Sequence, residues 1–153
     1  MASTTFSGPV TSTNGFIGNI TGNLTGNIAG TAEITHTATS AINATATATA
    51  AEVATGYITS TSAAATTITL PTGTLLGAAL GAVRGTVFDL YVDNTAGAST
   101  VTMAVATNGI LSSAAADTPG SFGDLTIAAG ATGIARFTLM FASATAYTFS
   151  RTA

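Results

Sequence analysis

The most regular strand pattern in the chain lies at residues 125–152, LTIAAGATGIARFTLMFASATAYTFSRT, which predict three strands separated by short turns. Large apolar residues alternate there with small or polar ones, and this period of two is typical of strands that bury one face. The apolar residues of the second strand are expected to oppose those of the third, namely Phe137, Leu139 and Phe141 against Tyr147 and Phe149. These residues therefore predict paired strands around an apolar core.

The segments on the N-terminal side of this stretch also predict short strands. The segment TTITLPTG, residues 66–73, predicts a short strand ended by Pro71, because proline cannot continue a strand's hydrogen bonding. The segment RGTVFDLYVDNTAGASTVTMAV, residues 84–105, predicts a hairpin with strands at Val87–Asp93 and Thr100–Val105. Short strands joined by glycine or asparagine turns are typical of sandwiches and jelly rolls. We therefore predict an all-β protein whose residues 65–153 form an antiparallel, jelly-roll-like β-sandwich.

Glycine recurs at every fourth position from 73 to 85, at Gly73, Gly77, Gly81 and Gly85. In a membrane helix this spacing would form a packing face. The apolar run around it, Thr74–Val83, is only about ten residues long and too short to cross a bilayer. The spacing therefore predicts a close-packed loop or short helix, and no membrane is expected as a partner.

Residues 1–62 are low in complexity and predict an extended N-terminal β arm. Within them, GNITGNLTGNIAGT at residues 18–31 places glycine at every fourth position and one aliphatic residue midway between each pair. In a strand these residues share one face, since alternate side chains point the same way. The predicted contact residues of this face are Phe16, Ile20, Leu24 and Ile28, with Gly18, Gly22, Gly26 and Gly30 between them.

This arm is not expected to fold alone. Glycine weakens a strand unless another backbone comes close, and burial of the four large apolar side chains returns less free energy than ordering the backbone costs. The arm therefore predicts a partner surface, either other copies of the chain or a larger assembly. Further along, alanine and threonine alternate strictly from Ala44 to Ala50, which also favours extended structure.

Composition excludes several classes of function. Only 6% of residues are charged, the net charge is −3 and the basic residues number three, so phosphate neutralisation and hence nucleic-acid binding are not expected. The chain has no cysteine, which excludes disulfides and thiolate metal sites. We expect no cofactor and no enzymatic activity.

The candidate chemical residues support this expectation. His36 is the single histidine and lacks partners for a catalytic triad or a zinc site, so it predicts a surface or interface residue. The carboxylates lack the spacing of a calcium loop, and turn capping or pairing with Arg84 or Arg136 is the favoured role of Asp89, Asp93, Asp117 and Asp124.

The opening TTFSGPVTSTNGF at residues 4–16, followed by repeats of glycine, asparagine, an aliphatic residue and threonine, resembles small structural proteins of marine tailed bacteriophages. The C-terminal segments LPTG, FDLYVDNTAG and LTIAAGATGIARFTLMFASATAYTFS are similar to β-sandwich modules of phage capsid decoration and fibre proteins. The resemblance implies a homotrimeric viral structural protein on the capsid surface of the virion. It implies a decoration, or cement, protein that stabilises the shell by strand pairing with neighbouring chains and the major capsid protein.

Two alternatives remain open. A trimeric tail or head fibre or adaptor protein in host attachment shares the same β architecture, and exposed aromatic clusters would favour it. An ice-binding protein is the second alternative, because TATATA at residues 45–50 resembles the threonine faces of ice-binding β-solenoids. That array is one short run, and no repeat of solenoid length recurs.

Overall fold

The computed structural model describes residue 36 and residues 38–111 and 124–152. Within these residues the protein is mostly β, with two short helices. The strands are β1 Ser40–Ala41, β2 Ala46–Thr47, β3 Tyr57–Thr59, β4 Thr66–Thr69, β5 Val87–Asp93, β6 Val101–Ala104, β7 Gly109–Leu111, β8 Thr126–Ile127, β9 Ile134–Ser143 and β10 Ala146–Arg151. The helices are α1 Ala50–Ala54 and α2 Gly73–Leu80.

The strands form two sheets, and the chain alternates between them from β1 to β9. Sheet A has the order β1-β3-β5-β9-β10-β7, and sheet B has the order β2-β4-β6-β8. Strands β1, β3 and β5 pair in parallel, as do β2, β4 and β6, because each return to a sheet runs in the same direction. Antiparallel pairing joins β9 to both β5 and β10, and β8 to β6. The sheets are therefore mixed, and a wholly antiparallel jelly-roll-like sandwich is not confirmed.

The predicted hairpin of Val87–Asp93 with Thr100–Val105 is wrong. Strand β5 pairs with β3 and β9 in sheet A, whereas β6 pairs with β4 and β8 in sheet B. The connection crosses between sheets at Asn94, which is fully buried. Its Nδ2 lies within 2.9–3.2 Å of the carbonyl oxygens of Ser99, Ile127 and Ala128. These contacts tie the end of β5 to the neighbourhood of β8, so the asparagine serves a crossover rather than a hairpin turn.

The predicted pairing at the C-terminus is confirmed. Tyr147 lies opposite Phe141 and Phe149 lies opposite Leu139 in the antiparallel pair of β9 and β10. The short strand before Pro71 is confirmed as β4. Apolar side chains from both sheets and both helices form one buried cluster, so the two sheets share a single core.

The buried Tyr147 side chain links this core to the start of α2. Its hydroxyl donates a hydrogen bond to the carbonyl oxygen of Pro71 at 3.0 Å. Burial raises the pKa of the Tyr147 phenol to about 12, so the side chain stays neutral over the physiological range.

The glycines at 73 and 77 belong to a short helix, one of the two structures predicted for them. Helix α2 begins after Thr72, whose hydroxyl accepts from the Leu75 N–H, and it ends at Gly81 in the left-handed conformation, φ 59°. A Cβ at Gly73 would overlap the carbonyl oxygen of Thr145, and one at Gly77 would overlap that of Ala144. The helix therefore packs directly on the backbone of the turn between β9 and β10.

The threonine–alanine run is extended only in part. Strand β2 lies within it, but α1 begins at Ala50. The Thr49 hydroxyl accepts from the Glu52 N–H, while the Glu52 carboxylate accepts from the Thr49 N–H. This capping box starts a helix where alternation alone predicted a strand.

The compact unit that holds all these elements begins at Thr35. Residues 40–62, which the sequence placed in the arm, supply β1, β2, α1 and β3 and bury Ile42, Val53 and Ile58 in the common core. The eight predicted contact residues at positions 16–30 lie outside the described residues, and their role stays a prediction.

Candidate functional site: the surfaces of the two sheets

The outer face of sheet B carries an array of threonines. Thr67 on β4 lies opposite Thr102 on β6, which lies opposite Thr126 on β8. Two residues further along the strands, Thr69 on β4 lies opposite Thr47 on β2. Side chains alternate across a sheet, and the intervening residues on β4 and β6 are buried. The threonines therefore share the outer face, which is hereafter the threonine face.

Four of these threonines keep their hydroxyls free within the described residues, whereas the Thr126 hydroxyl donates to Asp124 at 2.6 Å. Strand geometry places threonines on one strand about 6.6 Å apart and those on neighbouring strands about 4.8 Å apart. Strands β2, β4, β6 and β8 contain no charged residue. The threonine face is thus an uncharged lattice of hydroxyl and methyl groups. The free hydroxyls belong to Thr47, Thr67, Thr69 and Thr102.

A row of three side chains crosses the outer face of sheet A. Tyr57 on β3, Tyr91 on β5 and Arg136 on β9 lie directly opposite one another. The tyrosine rings are 6.3 Å apart between centroids with an interplanar angle of 20°, and Arg136 Cζ lies 5.9 Å from the centroid of Tyr91. Tyr91 therefore stands between an aromatic ring on one neighbouring strand and a guanidinium on the other. The three side chains, hereafter the aromatic row, stabilise the sheet through ring stacking and a cation–π contact.

The carboxylates beside this row are engaged by neighbouring side chains. Asp89 accepts from Arg136 and Thr138, and the Arg136 hydrogen bond, the largest effect, lowers the pKa of Asp89. Asp93 accepts hydrogen bonds from the hydroxyl and the N–H of Thr95, and these two bonds lower the pKa of Asp93. Burial, aided by the hydrogen bond to Asp93 at 2.9 Å, raises the pKa of Tyr57.

The favoured roles of the carboxylates are thereby confirmed for three of the four. Asp89 pairs with Arg136, and Asp93 caps the turn at Thr95. Asp124 is buried, accepts from Arg151 at 3.1 Å and caps Thr126. Asp117 lies outside the described residues. Within the part of the chain that the structure describes, no three histidine, aspartate or glutamate side chains converge as metal ligands.

His36 is half-buried and packs on the aromatic row. Its Nδ1 lies 2.9 Å from the carbonyl oxygen of Thr55. Its ring centroid lies 5.6 Å from that of Tyr91 and 6.1 Å from that of Tyr57. A Cβ at Gly56 would overlap the imidazole, so the glycine makes room for the contact. The histidine therefore holds the chain against sheet A just before β1.

A second row on the outer face of sheet A is apolar and exposed except at Thr148. Val87 on β5 lies opposite Met140 on β9, which lies opposite Thr148 on β10, which lies opposite Ile110 on β7. The exposed fractions are 57% for Val87, 53% for Met140 and 57% for Ile110. This row, hereafter the apolar row, spans four strands, and no other described part of the chain covers its three apolar side chains.

The outer edges of β1 and β2 border one groove of about 350 Å³. Most of its lining side chains are small, and Glu52 is its one charged residue. The Glu52 carboxylate is already occupied, since it accepts from the Thr49 N–H at 2.7 Å and the Thr49 hydroxyl at 2.8 Å. The groove is lined by Ala41, Ile42, Asn43, Ala44, Ala46, Thr47, Thr49 and Glu52.

Sequence reasoning pointed to the threonine run at residues 45–50, of which Thr47 lies on the threonine face, but it named neither the two rows on sheet A nor the groove as a site. The alternation of threonines on β4 marked one face of one strand, but alignment with β2, β6 and β8 depends on pairings between distant segments. Similarly, Tyr57 and Arg136 are 79 positions apart, 136 minus 57, and meet only through β5.

No protein-family model matches the chain, and searches of curated proteins and of solved structures each return no significant match. Neither described helix is long and apolar enough to cross a membrane.

Proposed function

We propose that this chain is a structural protein of a bacteriophage virion, where it acts as a trimeric capsid decoration protein. The observation that carries the proposal is the apolar row, in which three aliphatic side chains stand more than half exposed in register across sheet A. Contiguous exposed apolar surface is characteristic of interaction sites. The resemblance of the sequence to marine phage structural proteins supplies the class of assembly.

The mechanism is mechanical rather than chemical. The apolar row packs on the capsid surface, and the arm residues 14–30 pair with neighbouring chains by strand addition. Repeated over many copies, these contacts slow the opening of the shell. Beside the row, the Asp89–Arg136 ion pair is satisfied within the chain, so docking leaves neither charge without a partner. We class the body as a β-sandwich with mixed sheets, on the strength of its common core.

The closest rival, a trimeric fibre or adaptor in host attachment, would use an exposed aromatic cluster to bind its receptor. The aromatic row on sheet A is the cluster that this function needs, but Tyr91 already contacts Tyr57 and Arg136 within the chain. His36 packs against both tyrosines as well. Rings that already contact one another and Arg136 offer less surface for stacking on a ligand, which favours decoration over receptor binding.

Copy number separates the two functions. A decoration protein fills repeated lattice positions, so its amount in purified virions is expected to scale with that of the major capsid protein. Quantitative mass spectrometry of purified virions measures the ratio of this protein to the major capsid protein, and electron microscopy locates the density of this protein on the particle. Density confined to the tail, at a few trimers per particle, would reject decoration and support the fibre.

The threonine face favours ice binding as a second candidate function. Regular hydroxyl and methyl groups on a face without charged residues can order water in a lattice. One threonine of the run at residues 45–50, Thr47, lies on this face opposite β4, whose threonines adjoin that of β6. Ice growth in the presence of the full-length protein tests this function. We expect wild type and Thr148→Tyr, altered on sheet A, to shape ice crystals, and Thr69→Tyr to lose this effect. Unshaped growth with wild-type protein would exclude the candidate.

A further inference from the structure

The two sheets end side by side at the N-terminal edge of the compact unit. Strand β1 is the outermost strand of sheet A, and β2, a few residues later, is the outermost strand of sheet B. Ile42 and Ala48 donate their N–H groups inward, to the carbonyl oxygens of Thr59 and Thr69. Successive residues of a strand alternate in direction, so Ala41 and Thr47 present their backbone groups outward. An open edge of this kind is a template for another strand.

The groove at this edge suits an aliphatic strand. Three of its lining residues, Ala41, Ala44 and Ala46, project only a methyl group, and the carboxylate of Glu52 is held by Thr49. A strand entering there meets backbone donors and acceptors at Ala41 and Thr47. Its larger side chains find space of about 350 Å³ between small neighbours. The groove therefore fits a segment with bulky aliphatic residues separated by residues without side chains.

The direction of the chain before β1 favours another copy as the occupant of this groove. His36 contacts Tyr57 and Tyr91, which stand on the second and third strands of sheet A. From there the chain runs to the sheet edge at Ser40. Followed backwards from Ser40, it moves away from the open edge and over the face of the sheet. The described chain before β1 therefore leads away from the groove, which favours the arm of another copy as its occupant.

We propose that the groove binds the glycine-rich arm of a neighbouring copy, with residues 18–30 added as a strand along β1 and β2. Ile20, Leu24 and Ile28 enter between the alanines, and the glycines between them allow close approach of the two backbones. The contact joins different surfaces of two copies, and three such contacts close a ring. This inference rests on the proposed trimeric assembly and identifies the surfaces that hold it together.

Disulfide trapping tests the contact, and the natural absence of cysteine removes background. Full-length Leu24→Cys and Ala44→Cys chains with tags of different size are co-expressed, purified and oxidised. We expect a covalent species that contains both tags, since a disulfide forms only where two Cα atoms come within about 7 Å. The matched control replaces Ala44→Cys with Ala128→Cys, an exposed alanine just after β8 at the opposite edge of sheet B, and is expected not to cross-link.

Three results would overturn the inference: no cross-link, equal cross-linking at both positions, or a link found only within single chains of the double variant Leu24→Cys/Ala44→Cys. The last result would assign the groove to the chain's own arm. Light scattering on the uncross-linked protein distinguishes this failure from failure of the proposed function. If the protein is a trimer but forms no Leu24–Ala44 link, the groove contact is rejected and the proposed decoration function stands. If the protein is a monomer, both the trimer and the groove contact are rejected.

Discussion

Phe137→Ala is expected to lower the free energy of unfolding by about 3–5 kcal/mol, the typical cost of emptying a buried phenylalanine site. Phe137 is fully buried on β9 and stacks on Phe149, with ring centroids 4.8 Å apart and an interplanar angle of 14°. The truncation removes both the stacked pair and the apolar volume between the central strands. Because domains of this size have about 5–15 kcal/mol in total, the variant is expected to be partly unfolded at moderate temperature.

Urea denaturation at fixed protein concentration measures the loss, since subunit association makes apparent stability depend on concentration. Met140→Ala is the matched control on the same strand, where the side chain is half exposed on the other face. We expect it to change unfolding by about 0.5 kcal/mol or less while weakening attachment to capsids. A loss below about 1 kcal/mol for Phe137→Ala would contradict the placement of the core between the sheets.

The part of the core that contains Phe137 was predictable because its signal is local. Apolar residues alternate over β9 and β10, and a two-residue turn at Ala144 and Thr145 brings the strands together. Neighbouring segments then have little choice of partner. The register that puts Tyr147 opposite Phe141 follows from the need to bury both aromatic faces together.

The crossover at Asn94 was not predictable from the same kind of pattern. Asparagine and glycine three positions apart suit a hairpin turn, and the flanking residues alternate correctly for two strands. The pairing was decided by distant groups, since the Asn94 amide lies against the carbonyl oxygens of Ile127 and Ala128. A local turn signal shows where the chain changes direction, but it does not show which sheet the chain then joins.

The candidate surfaces could not be predicted from the sequence for a related reason. The apolar row draws Val87, Met140 and Ile110 from three strands, and each residue alone resembles an ordinary exposed aliphatic side chain. Only the strand order makes them neighbours. The contact residues of the arm, by contrast, could be named from the sequence, because glycine and aliphatic residues alternate there with a regular period. The groove proposed to bind them could not, because it depends on β1 and β2 being the outermost strands of their sheets.

Gly77→Ala is expected to destabilise the protein by about 1–3 kcal/mol, the usual cost of overpacking. Helix propensity alone predicts the opposite sign, since alanine is favoured over glycine inside a helix by about 1 kcal/mol. Packing decides the outcome because the added methyl would overlap the carbonyl oxygen of Ala144, and a backbone atom cannot turn aside as a side chain can. To admit the methyl, α2 must move away from the turn between β9 and β10.

The reverse substitution on the same helix, Ala79→Gly, is the matched control because Ala79 is exposed. It removes one methyl group at an exposed position, without changing a contact in the core, and it is expected to cost about 1 kcal/mol from helix propensity. Thermal melts of both variants, with helix and strand signals followed by circular dichroism, compare the two effects. If Gly77→Ala raised the melting temperature, propensity would govern the site, and the four-residue glycine spacing would have no role in packing. If both substitutions destabilise, the glycine at 77 is required because α2 lies directly against the backbone of the strand turn.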